Sequence, residues 1–122
     1  MAENKQYIMQ SQENGTINIS EEVIAAIVAH AAVDVEGVAG LNAHPSNDIV
    51  ELIGKKTSVK GVKVTILENN SVAIDCNVNI NYGESIVEVS AATQEAVKNA
   101  LESLAAIDIA SVNVNVCGIV RQ

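Results

Sequence analysis

The sequence predicts an α+β fold: a two-layer β-α-β-β-α-β sandwich, with a mixed four-stranded sheet carrying two main helices on one face. Two stretches repeat apolar residues at three and four, and other stretches alternate apolar and polar residues one by one. The order of those two periodicities along the chain gives the order of the elements. Size is the remaining observation: 122 residues, 48% hydrophobic and 18% charged, suit one domain with an ordinary core. Phe and Trp are absent and Tyr occurs twice, so Val, Ile, Leu and Ala must fill that core.

Residues 1–14 read as a flexible polar N-terminal tail, and 15–122 as the single domain. "TINIS" makes a short first strand with Ile17 and Ile19 on one side. Ser20 is placed to N-cap the first helix, and Glu21 and Glu22 suit its positive end. Val23, Ile24, Ile27, Val28, Ala31 and Val35 form its apolar stripe, with Gly37 as the residue that stops it. The connection from 38 to 61 is long, and Pro45 to Ile53 suits a short helix within it. "VKVTILE" and "SVAIDCNVNINY" follow as a hairpin turning at "ENN". Ser85 and Glu88 make a capping box for the second helix, whose stripe is Val89, Ala96, Val97, Ala100, Leu101 and Leu104. "SVNVNVCGIV" closes the chain as a strand.

Alternation assigns Ile17, Ile19, Val62, Val64, Ile66, Val72, Ile74, Cys76, Val78, Ile80, Val112, Val114 and Val116 to the helix-covered face. The opposite face then carries Asn18, Lys63, Thr65, Asp75, Asn77, Asn79, Asn113 and Asn115. Asparagine is a poor strand former, so its concentration on one face asks for a reason. Each amide offers donors and an acceptor without charge, and such a face can dock on another protein without burying ions. The plain alternative is a solvated face. Asn18, Lys63, Thr65, Asn77, Asn79, Asn113 and Asn115 are therefore the candidate interaction surface.

Charge narrows the partners. A net charge of −8 repels nucleic acid and anionic lipid at long range. Four of the seven basic residues nevertheless lie together, and Lys55, Lys56 and Lys60 form a candidate basic docking segment beside Lys63. Glu88, Glu95 and Glu102 recur every seven residues on one helix face, a candidate acidic stripe. Basic segment against acidic stripe would give a head-to-tail contact able to propagate. Taken singly, each reads as a solvated loop or helix side.

No motif for catalysis, metal or a cofactor emerges. His30 within the helix and His44 in a loop have no triad spacing to a nucleophile or carboxylate. Cys76 reads as a small core residue and Cys117 as a free thiol on the open face, so a disulfide is not expected. "GKKT" lacks the upstream glycine of a phosphate loop, because position 49 is Ile. "GVAG" reads as a helix stop and turn rather than a nucleic-acid clamp. The N-terminus has no apolar signal region, and Val23 to Val33 is far shorter than the ~20 residues a bilayer crossing needs. The expectation is a soluble cytoplasmic protein with no direct membrane insertion.

Four pieces, "GTINISEEVIAAIVAHAAVDVEGVAGL", "GKKTSVKGVKV", "VAIDCNVNINYGESIVEVSAATQEAVKNALE" and "IASVNVNVCGIV", stand in an order and spacing that resemble the alkaline shock protein family. These are Gram-positive envelope-stress proteins, and the resemblance covers about residues 15 to 120. It implies a non-enzymatic cytoplasmic protein that forms a homo-oligomer and is held at the membrane by a separate anchor protein. "IVELIGKKTSVKGVKV" looks closer to a branch associated with acetyl-CoA carboxylase. That branch implies regulation of fatty-acid synthesis and carboxylase subunits as partners. The family supplies no catalytic residue. The remaining alternative is a small-ligand or nucleic-acid binding module, and a cleft lined by His30 or His44 with a carboxylate would favour the ligand form.

Overall fold

The computed structural model describes residues 7–42 and 61–121. In chain order the elements are β1 (Tyr7–Gln12), β2 (Gly15–Ser20), α1 (Glu21–Val33), β3 (Val38–Leu41), β4 (Val62–Ile66), β5 (Ser71–Asn81), α2 (Ile86–Ala105) and β6 (Asp108–Val120). Strand β5 is the centre of the main sheet. Its apolar half, Val72, Ile74, Cys76, Val78 and Ile80, is wholly buried. β6 runs parallel to it from Ser71↔Asp108 to Asn81↔Val120. On the other side β4 and β3 lie end to end, both antiparallel to β5. Asn77 sits at their junction: its N–H donates to the Gly61 carbonyl at 2.8 Å, and its carbonyl accepts from the Asn42 N–H at 2.9 Å.

β6 has 13 residues against 11 in β5, and the surplus goes into two register shifts, at Ala110 and at Cys117. Both helices cover the same face. α1 lies over β3 and β4, α2 lies over β6, and the helices touch each other. Ile24, Ala25, Val28 and Ala32 of α1 and Val89, Thr93, Val97 and Leu101 of α2 are the buried sets. Thr93 is tolerated there because its hydroxyl donates to the Val89 carbonyl at 2.8 Å.

The fold class is the expected one, but its membership differs in detail. β2 leaves the main sheet and pairs with β1, so Ile17 is 51% exposed rather than inward. Asn18 pairs with Met9 and does not join the asparagines of β5 and β6. β3 takes the place β2 was expected to hold. The stretch 1–14 read as a tail contains β1 from Tyr7 onward. Ile8 is its one fully buried residue, so alternation had nothing to register. The hairpin is tied down instead by polar contacts. Gln10 Nε2 donates to the carbonyls of Ala105 and Ala106, at 2.8 and 3.1 Å. Asn70 clamps Met9 through both its backbone groups.

Both predicted helix starts are in place, with Ser20 and Ser85 hydroxyls accepting from the N–H groups of Val23 and Glu88. The first helix ends earlier than expected, at Val33, with Asp34 as its cap. Gly37 lies in the turn beyond, at φ +101°, where an added Cβ would run into Val89. The short helix expected between Pro45 and Ile53, together with His44, Lys55, Lys56 and Lys60, falls outside the described residues.

Candidate functional site

The open face of the main sheet is built from side chains that bond to one another across strands. The parallel register sets Asp75 beside Asn113 and Asn77 beside Asn115. Asn113 Nδ2 donates to Asp75 Oδ1 at 3.2 Å, and Asn115 Nδ2 donates to Asn77 Oδ1 at 2.9 Å. Asn79 has no side chain opposite, because its partner is Gly118. It accepts from Asn42 Nδ2 at 2.9 Å instead. A Cβ on Gly118 would stand 2.8 Å from Asn79 Oδ1, so the glycine makes room for that amide. Lys63 and Thr65 of β4 extend the face on its far side, and Lys63 is the register partner of Asp75. The face is thus close to neutral on a chain of net charge −8.

Of the expected interaction residues, Lys63, Thr65, Asn77, Asn79, Asn113 and Asn115 share this face, and Asn18 does not. Asn77 differs from the others in being only 8% exposed, an interior member of the ladder rather than a free surface group. Two participants were missed by sequence reasoning. Asn42 follows a four-residue strand too short to announce itself, and Gly118 matters only once the parallel register is known.

Glu88, Glu95 and Glu102 are all exposed along α2, and Glu102 lies 3.9 Å from Lys98 one turn away. The expected stripe therefore exists as a surface feature, already partly screened at one end. Its proposed basic counterpart is outside the described residues apart from Lys63, which belongs to the opposite layer.

Between α1 and α2 an open groove of about 640 Å³ runs along the outer surface. Val23, Ala26, Ile27, His30, Ala31 and Asp34 line one wall, and Ala96, Ala100 and Leu104 the other. Val23, 49% exposed, and Leu104, 72% exposed, belong to the apolar stripes that periodicity gave to the two helices, but line the groove rather than the core. α1 is apolar around most of its circumference, so its spacing fits a second stripe as well as the buried one. The histidine-and-carboxylate lining that would favour a ligand site is present here in His30 and Asp34.

The thiols behave as expected of their positions. Cys76 is buried, and burial pushes its pKa up to about 11. Cys117 is exposed, 3.7 Å from the Asn115 carbonyl. Among the described residues no group of three His, Cys, Asp or Glu side chains is gathered as a metal site would require. Nor is any described helix long and apolar enough to cross a membrane.

Comparison with known proteins places this geometry. A family model described as "ASP23 family, cell envelope-related function" matches residues 9–121. The chain is similar to YqhY, an uncharacterized protein of Bacillus subtilis, with 34% identity over 105 residues, 86% of this chain and 77% of that one. It is similar also to Spy1535, an uncharacterized protein of Streptococcus pyogenes, with 33% identity over 114 residues, 93% of this chain and 86% of the other. Solved MamM CTD structures align with a TM-score of 0.49 and 18% identity, over 80% of this chain and 93% of theirs.

Proposed function

The chain belongs to the alkaline shock (ASP23) family, whose function is related to the cell envelope, and from that premise we propose that it is a non-enzymatic, self-associating protein of envelope homeostasis. In this reading it works from the cytoplasm by protein–protein contact. The observation that carries the reading is the open face of the main sheet. Its amides are spent on one another, and Lys63 stands beside Asp75. A face that is polar, neutral and already ordered can be covered by protein without stranding a charge or freezing loose side chains. The partner classes that fit are further copies of the chain, and either a membrane-anchored protein or the subunits of acetyl-CoA carboxylase.

Sedimentation velocity over a rising concentration series tests self-association. Species larger than the monomer are expected, and Lys63→Asp with Thr65→Asp, which makes the face acidic, should reduce them. A monomer at every concentration would sink this reading.

A second reading is favoured by the groove between the helices. Its apolar walls, with His30 and Asp34 on one side, suit a small apolar molecule bearing one polar end. Native mass spectrometry of the purified protein separates the two, because a bound small molecule supports the groove and a bare chain does not.

A further inference from the structure

The outer edge of β6 is the least protected part of the main sheet. Asn77 directs its backbone N–H and carbonyl toward β4 and β3. In the parallel pair its register partner Asn115 must then direct its own backbone groups toward β5. Strand alternation turns the backbone groups of Val112, Val114 and Val116 the opposite way, to the outside. The Val112 carbonyl agrees with this, since it accepts from Gln94 Nε2 of α2 at 3.0 Å. Among the described residues no strand pairs with that edge.

Edge strands are ordinarily blunted by lysine, proline, short length or bulges. β6 has bulges at Ala110 and Cys117 alone: from Ile109 to Val120 it carries neither charge nor proline. Its two register shifts, at Ala110 and Cys117, bracket a regular stretch from Ser111 to Val116. The nearest charges lie just outside, Asp108 at one end and Arg121 at the other. A strand with opposite charges at its two ends complements itself when laid antiparallel.

We propose that two copies of this chain join edge to edge, β6 against β6, antiparallel and centred on Val114, into one continuous sheet. This rests on the self-association reading above and places a contact at the β6 edge of that face rather than across it. In that register Val114 meets Val114 of the second copy, and Val112 meets the partner's Val116, all through outward backbone groups. Asn113 faces the partner's Asn115 at the positions where side chains stand closest in an antiparallel pair. The ladder Asp75–Asn113 thus continues into Asn115–Asn77 of the second copy. Asp108 of each copy comes opposite the other's Val120, at the strand end next to Arg121. Gln94 has only to release one carbonyl.

The test is sedimentation velocity on the full chain, with circular dichroism to verify folding of each variant. Val114→Pro removes an outward N–H that the monomer does not use, a substitution edge strands tolerate. It should return the protein to monomer. Asn113→Lys with Asn115→Lys, and separately Asn113→Glu with Asn115→Glu, set like charges opposite each other across the proposed contact and should each lose the dimer. Mixing the two should restore it as a heterodimer. A wild-type monomer at all concentrations overturns both this inference and the reading it rests on. A wild-type oligomer that survives Val114→Pro and the lysine pair overturns the edge contact alone. Loss of assembly in both charged variants without recovery on mixing overturns the antiparallel register.

Discussion

Asn115 donates its amide to Asn77 across 2.9 Å, linking an exposed residue of the outer strand to a nearly buried one in the central strand. Asn77 also joins the two strands on its other side, through its N–H to Gly61 and its carbonyl to Asn42. One residue therefore fixes three neighbours of the sheet at once. Asparagine suits that position because a buried valine there would satisfy the backbone but leave the Asn115 amide without its acceptor.

The Asn77–Asn115 bond should be measurable as a coupling. A neutral hydrogen bond contributes about 1 kcal/mol net, so a cycle of Asn77→Ala, Asn115→Ala and the double variant should give an interaction of that order. Urea unfolding of the four proteins reads it. Strict additivity would mean the bond contributes nothing in solution.

That contact also marks where sequence reasoning stopped. β5, the Ser20 cap and the Ser85 cap were legible because long alternation and capping residues are local signals. β3 was not, since "VAGL" is too short for periodicity and contains a glycine. The asparagines were legible as a face but not as a ladder. Their pairing depends on β5 and β6 being parallel neighbours with Asp75 level with Asn113, and no single segment encodes that register. Val23 and Leu104 were legible as apolar stripe residues, but the phase alone does not say which of two apolar stripes is covered.

Gly37 should not accept a side chain. Its φ is +101°, and a Cβ would meet Val89 Cγ2 at 2.7 Å. Gly37→Ala combines backbone strain with a clash between this turn and α2, so a loss of about 2 kcal/mol or more is expected. Gly83→Ala is the control. Its φ is +100°, but nothing lies within 4 Å of the added atom, so it isolates the backbone cost. Equal losses in the two variants would mean the Val89 contact relaxes freely.

Cys76 gives the protein an alkaline limit. Burial raises its pKa from 9.0 to about 11, so between those values the unfolded thiol ionises while the folded one stays neutral. The unfolded state then binds fewer protons, and stability falls as pH rises through that window. Below pH 9.0 the contribution is fully present. Cys76→Val should flatten this part of the pH profile of the urea midpoint. An unchanged slope in the variant would assign the alkaline loss to other groups. The exposed Cys117 should react with a thiol reagent in the native state, leaving Cys76 untouched until unfolding.

The N-terminal hairpin should come loose without taking the sheet with it. Its polar tethers are Gln10, on the two carbonyls that end α2, and Asn70, on the backbone of Met9. Ile8 supplies its single wholly buried side chain. Gln10→Ala removes the donor shared by two helix-end carbonyls, one part-buried and one exposed, at a cost of about 1 kcal/mol. The effect should be local, because among the described residues β1 pairs only with β2, whereas β5 is hydrogen-bonded on both sides. Hydrogen exchange distinguishes the cases: amides of Tyr7 to Ser20 should exchange faster while those of Val72 to Ile80 keep their protection. If the β5 amides lose protection in equal measure, the hairpin is part of the same cooperative unit as the main sheet, and its tethers support the whole domain.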